Sequence, residues 1–173
     1  MKVIGIAGWS GAGKTTLLTR VIPLLAARGL RVSTIKHAHH QFDVDQPGKD
    51  SHTHRAAGAT EVLVSSANRF ALMHELRGEP ELSLGALLEK LAPVDLVLVE
   101  GFKRETHPKL EVYRASVGKP LLAPDDPHIV AIAADGPVAA RVPVVSLDNV
   151  EAVADILVAS AVPIDAVLAR VSA

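Results

Sequence analysis

Residues 8–15 read Gly8-Trp9-Ser10-Gly11-Ala12-Gly13-Lys14-Thr15, a complete G-x-x-x-x-G-K-[ST] phosphate-binding loop. It follows a short apolar run, Lys2-Val3-Ile4-Gly5-Ile6-Ala7, and opens a stretch with helical spacing. That strand–loop–helix context is what the motif needs. Gly11 and Gly13 let the backbone approach an anion with no Cβ in the way. The loop's N–H groups then converge on an anion at the positive end of the following helix. Lys14 reaches the β- and γ-phosphates, and the Thr15 hydroxyl binds the magnesium ion that bridges them.

Working outward, apolar residues at helical spacing predict a helix from Lys14 to Arg28, stopped by Gly29. Pro23 falls inside it and is expected to kink it or weaken it. Strands are predicted at 31–36, 61–66, 70–74, 94–99, 129–133 and 142–146. Lys109 to Arg114 alternates polar and apolar residues and reads as an edge strand. Ser83 caps a helix carrying Leu84, Leu87, Leu88 and Leu91. Asp50 is expected to cap a short helix ending at Gly58. Asp148-Asn149-Val150-Glu151 reads as a capping box opening a helix to about Ala159. Strands alternating with helices argue for a three-layer α/β fold with a mostly parallel central sheet.

The whole chain sets bounds on this reading. Its 173 residues suit a single domain spanning 1–173. Hydrophobic residues make up 49% and aromatics only 3%, so the core must be built from Val, Leu, Ile and Ala. A formal charge of −1 supplies no field for nucleic acid or anionic membrane. The absence of cysteine excludes disulfides, thiolate metal sites and a catalytic thiol. No apolar run reaches the length of a membrane span, and the chain starts on a strand, not a signal peptide. A cytoplasmic protein is expected.

The second informative string is Asp95-Leu96-Val97-Leu98-Val99-Glu100-Gly101. Glu100 ends the most apolar strand, at the edge where ligands bind in parallel sheets. There it can hold the magnesium ion or polarise an attacking water. Asp95, at the opposite end, reads as structural. Residues 36–50 emerge at the same edge as Glu100. In that segment Asp43, Asp45 and Asp50 are candidates for the metal shell, and Lys36 and His37 for phosphate contacts. Five of the eight histidines lie between residues 37 and 54. His37, His39 and His40 open a zinc or nickel alternative, although loop histidines are more commonly only exposed. Trp9, Lys103 and Arg104 are large or charged neighbours of the loop with no pattern that assigns them a role.

The strings GWSGAGKTTL (8–17), IKHAHHQFDVDQPGKDS (35–51), RAAGA (55–59), FALMHE (70–75) and DLVLVEGFK (95–103) resemble, in this order, the molybdopterin-guanine dinucleotide biosynthesis adapter family. The loop is shared by many families; the His-rich string with VEGFK is more specific. The resemblance implies a P-loop fold, a homodimer, and GTP and magnesium as cofactors with weak hydrolysis. The implied partner is the guanylyltransferase that attaches GMP to the molybdenum–pterin cofactor, with molybdopterin as a further candidate ligand. It places the GTP phosphates on residues 10–16, magnesium near Thr15 and Glu100, and the Asp43–Asp45 segment beside the nucleotide. Lys14 and Glu100 are then the residues expected to act on the phosphates. No N-K-x-D string reads guanine, and Asp135 and Asp148 remain alternatives for that task. Two other functions fit the loop: a metallochaperone GTPase using the histidines, and a small-molecule kinase. A kinase needs an arginine-bearing lid, and residues 101–128 contain Arg104 and Arg114 without a clear lid helix.

Overall fold

The structure is a computed structural model describing residues 1–38 and 42–171. The chain divides into two compact units, one formed by residues 1–37 and 83–173 and one by residues 38–82.

The first unit is an α/β sandwich. Its strands are β1 (Lys2–Ala7), β2 (Val32–Lys36), β5 (Leu96–Glu100), β6 (Lys109–Tyr113), β7 (Ile129–Ala134), β8 (Val144–Ser146) and β9 (Val162–Pro163). They form one sheet in the order β2-β5-β1-β6-β7-β8, with parallel neighbours throughout. The short β9 pairs antiparallel with Lys2 and Val3, next to the stretch Gly5–Ala7 that pairs with β6. Helices α1 (Lys14–Ala27) and α4 (Val150–Ser160) pack on one face through Leu17, Leu18, Val21, Leu25, Val153 and Leu157. Helices α3 (Leu84–Glu89) and α5 (Ile164–Val171) pack on the other against Val3, Val97 and Val99. Both faces of a parallel sheet are thus covered, which explains the continuous burial of β5. Among the described residues every buried hydrophobic side chain is Val, Leu, Ile or Ala, as the composition demands. Each fully buried Leu or Ile contributes about 1.5–3 kcal/mol.

The local signals hold with small displacements. Ser83 caps α3 by accepting the Ala86 N–H at 3.2 Å. Helix α4 is capped by Asn149, whose Oδ1 accepts from Ala152 N–H, one residue later than the expected box. Glu151 is therefore released from the cap, and with Asp155 it pairs with Arg28 at the end of α1. Helix α1 runs through Pro23 as one element. Asp95 holds the Arg31 side chain and its N–H, joining the starts of β2 and β5. No helix among the described residues is long and apolar enough to cross a membrane.

The edge-strand expectation fails. The 109–114 segment is not an edge strand: β6 lies between β1 and β7, with Lys109 and Glu111 fully buried. Their charges are met from the covering loop. Lys109 Nζ lies 2.9 Å from Asp126, and Glu111 accepts the N–H groups of Leu122 at 2.7 Å and Ala123 at 2.9 Å. Burial pushes the Glu111 carboxyl above its ordinary value despite those two bonds. Burial opposes ionisation of Asp126 as well and is the largest single effect there, but the Lys109 hydrogen bond, the His128 N–H and the nearby positive charges together outweigh it and hold this carboxyl low. Alternation of charge marks a solvent face only when no loop covers it.

His107 lies beside this group. Its ring is buried, and neither nitrogen has a hydrogen-bond partner among the described residues. The ring packs where a Cβ on residue 5 would stand, so Gly5 is required for the approach. Burial, with Lys109 nearby, lowers its pKa to about 4 from the ordinary 6.5. The folded state therefore refuses a proton that the unfolded chain takes up between those values. The unfolding free energy should be full above pH 6.5 and fall by up to about 3 kcal/mol as pH drops to about 4. His107→Leu should remove this part of the pH dependence in denaturant titrations. An unchanged slope in the variant would contradict the assignment.

The second unit holds α2 (Asp50–Ala56) and a two-stranded antiparallel hairpin of β3 (Glu61–Ser65) and β4 (Phe70–His74). Lys49, not Asp50, is the N-cap residue of α2, and its side chain makes no cap bond. Arg55 from α2 ties the unit together: it bonds Asp43 at 2.7 Å and Glu75 at 2.8 Å, and lies 3.3 Å from Asp45. Arg77 Nη2 donates to the carbonyls of Arg55 and Ala59.

Candidate functional site

Residues 8–14 leave β1 at the carboxyl edge of the sheet and enter α1. Gly8, Gly11 and Gly13 all have positive φ, at 139°, 81° and 94°. Only glycine adopts this sequence of left-handed turns without strain, so the spacing of the motif is a backbone requirement. Ala12 is buried against the core, and its N–H donates to Trp9 O, closing the loop. Lys14 lies back across the loop and donates to the carbonyls of Gly8 at 3.0 Å and Trp9 at 3.1 Å. Burial lowers its pKa, the Glu100 carboxylate opposes that, and Lys103 and Lys36 reinforce it. A glycine-rich loop at a helix N-terminus with a partly desolvated ammonium favours a polyanion.

Glu100 is where the sequence reading put it. Register pairs Ile6 with Glu100, so the end of β5 stands beside the start of the loop. Glu100 is 9% exposed, and both its carboxylate oxygens lie 3.4 Å from Thr15 Oγ1. Lys36, paired in register from β2, sits 3.8 Å away. The turn that follows ties the backbone at Glu100 to the end of β2. His37 N–H donates to Glu100 O at 2.8 Å, and Gly101, at φ 101°, leaves space that the His37 Cβ uses. Phe102 takes a left-handed φ of 48°, and its ring lies 4.9 Å from the His37 ring. Such a backbone in a bulky residue is costly and clusters at functional sites.

Thr15 and Glu100 are hard oxygen donors at a separation near the ~3 Å expected between neighbouring ligands of one magnesium ion. With one carboxylate and one hydroxyl they suit an ion that keeps waters and takes its remaining ligands from phosphates. Among the described residues no group of three or more His, Asp or Glu is arranged to hold a metal by itself. His39 and His40, central to the nickel or zinc alternative, lie outside the described residues. Asp43 and Asp45 belong to the second unit, where they serve Arg55. The Arg55 side chain and the Asp45 N–H hold the Asp43 carboxyl below its ordinary range, the backbone bond being the larger cause. Ser10 and Thr16 lie in the loop and the first turn of α1, both exposed.

Two neighbours gain roles that the sequence did not assign. Trp9 donates its indole N–H to Pro120 O at 2.8 Å, with Lys103 Nζ 4.9 Å and Lys119 Nζ 5.9 Å from its ring. Arg114, just past β6, donates from Nε to the Ala12 carbonyl at 3.1 Å and lies against Gly13. It braces the loop from its carbonyl side, at Ala12. Taking β6 for an edge strand hid this, because only a strand adjacent to β1 delivers its next residue to the loop. Residues 101–128 contain a single short helical turn, Ala115–Val117, and no lid helix.

A parallel sheet with a glycine-rich G-x-x-x-x-G-K-T loop between its central strand and first helix defines the P-loop class of α/β proteins. The family model for molybdopterin guanine dinucleotide synthesis protein B matches residues 3–135, and the chain belongs to that family. It is 45% identical over 159 residues to the molybdopterin-guanine dinucleotide biosynthesis adapter protein of Escherichia coli (strain K12), covering 90% of this chain and 91% of that one. Identity to the adapter protein of the same name from Haemophilus influenzae is 39% over 155 residues, covering 90% and 86%. A crystal structure of molybdopterin-guanine biosynthesis protein B superposes with a TM-score of 0.73 at 29% identity, covering 91% of this chain and 98% of that chain.

Lys14→Ala should weaken binding of a nucleoside triphosphate by about 1.5–3 kcal/mol, the worth of a charge-assisted hydrogen bond, and leave the thermal unfolding profile intact. Calorimetric titration checks this. Equal affinity in the variant would remove Lys14 from the site.

Proposed function

We propose that this chain binds GTP with magnesium and acts as an adapter in molybdopterin-guanine dinucleotide biosynthesis, assisting the guanylyltransferase that joins GMP to molybdopterin. The observation that carries the reading is the Thr15–Glu100 oxygen pair at the mouth of the phosphate loop. The close relationship to curated adapter proteins over 90% of the chain supports the pathway.

The arrangement favours holding the nucleotide over turning it over. The loop amides and Lys14 neutralise the phosphates. Thr15 and Glu100 would seat the magnesium ion, which supplies charge neutralisation between the β- and γ-phosphates. Glu100 is the one carboxylate described at the mouth of the loop, and Lys36 already faces it. Arg114 is committed to the Ala12 carbonyl. An arginine aimed at the transferring phosphate is worth ~10³–10⁵ in rate, and Arg114, the arginine described against the loop, is bonded to its carbonyl side instead. Hydrolysis is therefore slow and open to stimulation by a partner.

The second unit supports self-association. Leu63 (60% exposed), Leu72 (50%) and Phe70 (73%) lie on one side of the hairpin, Leu63 directly opposite Leu72. A two-stranded ribbon is marginal alone, and a second copy of the chain would cover this side.

Single-turnover hydrolysis of labelled GTP, followed with and without the guanylyltransferase, tests the adapter role. The expected result is slow intrinsic hydrolysis that rises on adding the partner, from a preparation that sediments as a dimer. Fast unassisted turnover, or a monomer with no response to the partner, would contradict it.

A further inference from the structure

A GTP-binding protein must recognise its base, yet the chain has no N-K-x-D string. The geometry around the loop narrows the choice. Strand β1 is flanked by β5 on one side and by β6 on the other. The Thr15–Glu100 pair lies on the β5 side. A metal ion that bridges the β- and γ-phosphates sets the γ end of the nucleotide toward β5. The nucleoside then leaves over the carboxyl ends of β6, β7 and β8.

Among the described residues two carboxylates occupy that edge outside the strands: Asp135, directly after β7, and Asp148, two residues after β8. Asp125 and Asp126 precede β7 and so lie at the opposite edge, and Glu111 is buried against residues 122 and 123. Asp148 has a side chain 95% exposed and faces Arg20 at 3.5 Å. Asp135 is held. Its Oδ1 accepts the Ala115 N–H at 3.2 Å, its Oδ2 lies 3.9 Å from Arg114, and its side chain is 30% exposed. Arg114 itself bonds Ala12 of the phosphate loop. A single side chain thus connects the loop to this carboxylate. Strand β7 stands two strand spacings from β1, about 10 Å, which matches the reach of a nucleoside from its phosphate to the Watson–Crick edge of its base.

Resting on the GTP reading above, we infer that Asp135 is the specificity-determining residue that reads guanine, accepting the N1–H and the 2-amino N–H on its carboxylate. Each carboxylate oxygen has two lone pairs, so the bond from Ala115 leaves capacity for both donors. Adenine presents an acceptor at N1 and no 2-amino group, leaving the carboxylate unpaired and opposed.

The test is Asp135→Asn, with Asp148→Asn alongside, titrated calorimetrically with the magnesium complexes of GTP, xanthosine triphosphate and ATP. Asparagine offers one acceptor and one donor, matching xanthine, which has a carbonyl where guanine has its amino group. Asp135→Asn should lose at least about tenfold in GTP affinity and gain as much for the xanthine nucleotide, and Asp148→Asn should change neither. Inosine triphosphate, which lacks the 2-amino donor, should bind the unaltered protein more weakly than GTP. That comparison and the Asp148 variant stand even if Asp135→Asn does not fold. Unchanged GTP affinity in Asp135→Asn would overturn the inference, as would a loss without the xanthine gain, a switch in Asp148→Asn, or equal GTP and inosine nucleotide binding. Absence of any triphosphate binding by the unaltered protein would instead defeat the GTP reading itself.

Discussion

The site depends on a register. Because β1 and β5 run parallel with Ile6 opposite Glu100, the last residue of a fully buried strand stands next to the first residues of the phosphate loop. A carboxylate in that place is costly unless something charged or polar faces it. Here Thr15 and Lys36 face it. A slip by one residue would turn the Glu100 side chain to the other face of the sheet. The hydrophobic layers on both faces therefore position the site as well as stabilise the fold.

A second set of contacts supports the loop from outside. Arg114 holds the Ala12 carbonyl, Trp9 is pinned to Pro120, and Glu111 ties down Leu122 and Ala123 of the same segment. The phosphate loop is thus gripped from β6 and from the loop that covers it. These contacts hold the loop's backbone in place, and a loop held in advance needs less ordering on binding.

Much of this was legible in the sequence, and the exceptions have physical reasons. The loop motif is a constraint on backbone φ, and such constraints are written directly in glycine positions. The apolar run ending in Glu100 marked both a buried strand and its ligand end. Strand order left no such mark, and so Lys109 and Glu111 read as solvent-facing when loop partners in fact bury them. Arg114 was missed with them, since its role exists only if β6 neighbours β1. In the 38–82 segment the two strands were visible, but nothing announced that Arg55 would gather Asp43, Asp45 and Glu75. Ion pairs between residues distant in sequence leave no periodic pattern.

The central claim is that loop amides hold a triphosphate whose cation is seated by Thr15 and Glu100. Calorimetry of GTP binding in magnesium and in chelator, for the unaltered chain and for Glu100→Gln, tests it most directly. The account predicts tight magnesium-dependent binding in the first and loss of the magnesium-dependent increment in the second, with the chelator value retained. Equal enhancement by magnesium in both, or no uptake of GTP by the folded unaltered chain, would contradict it.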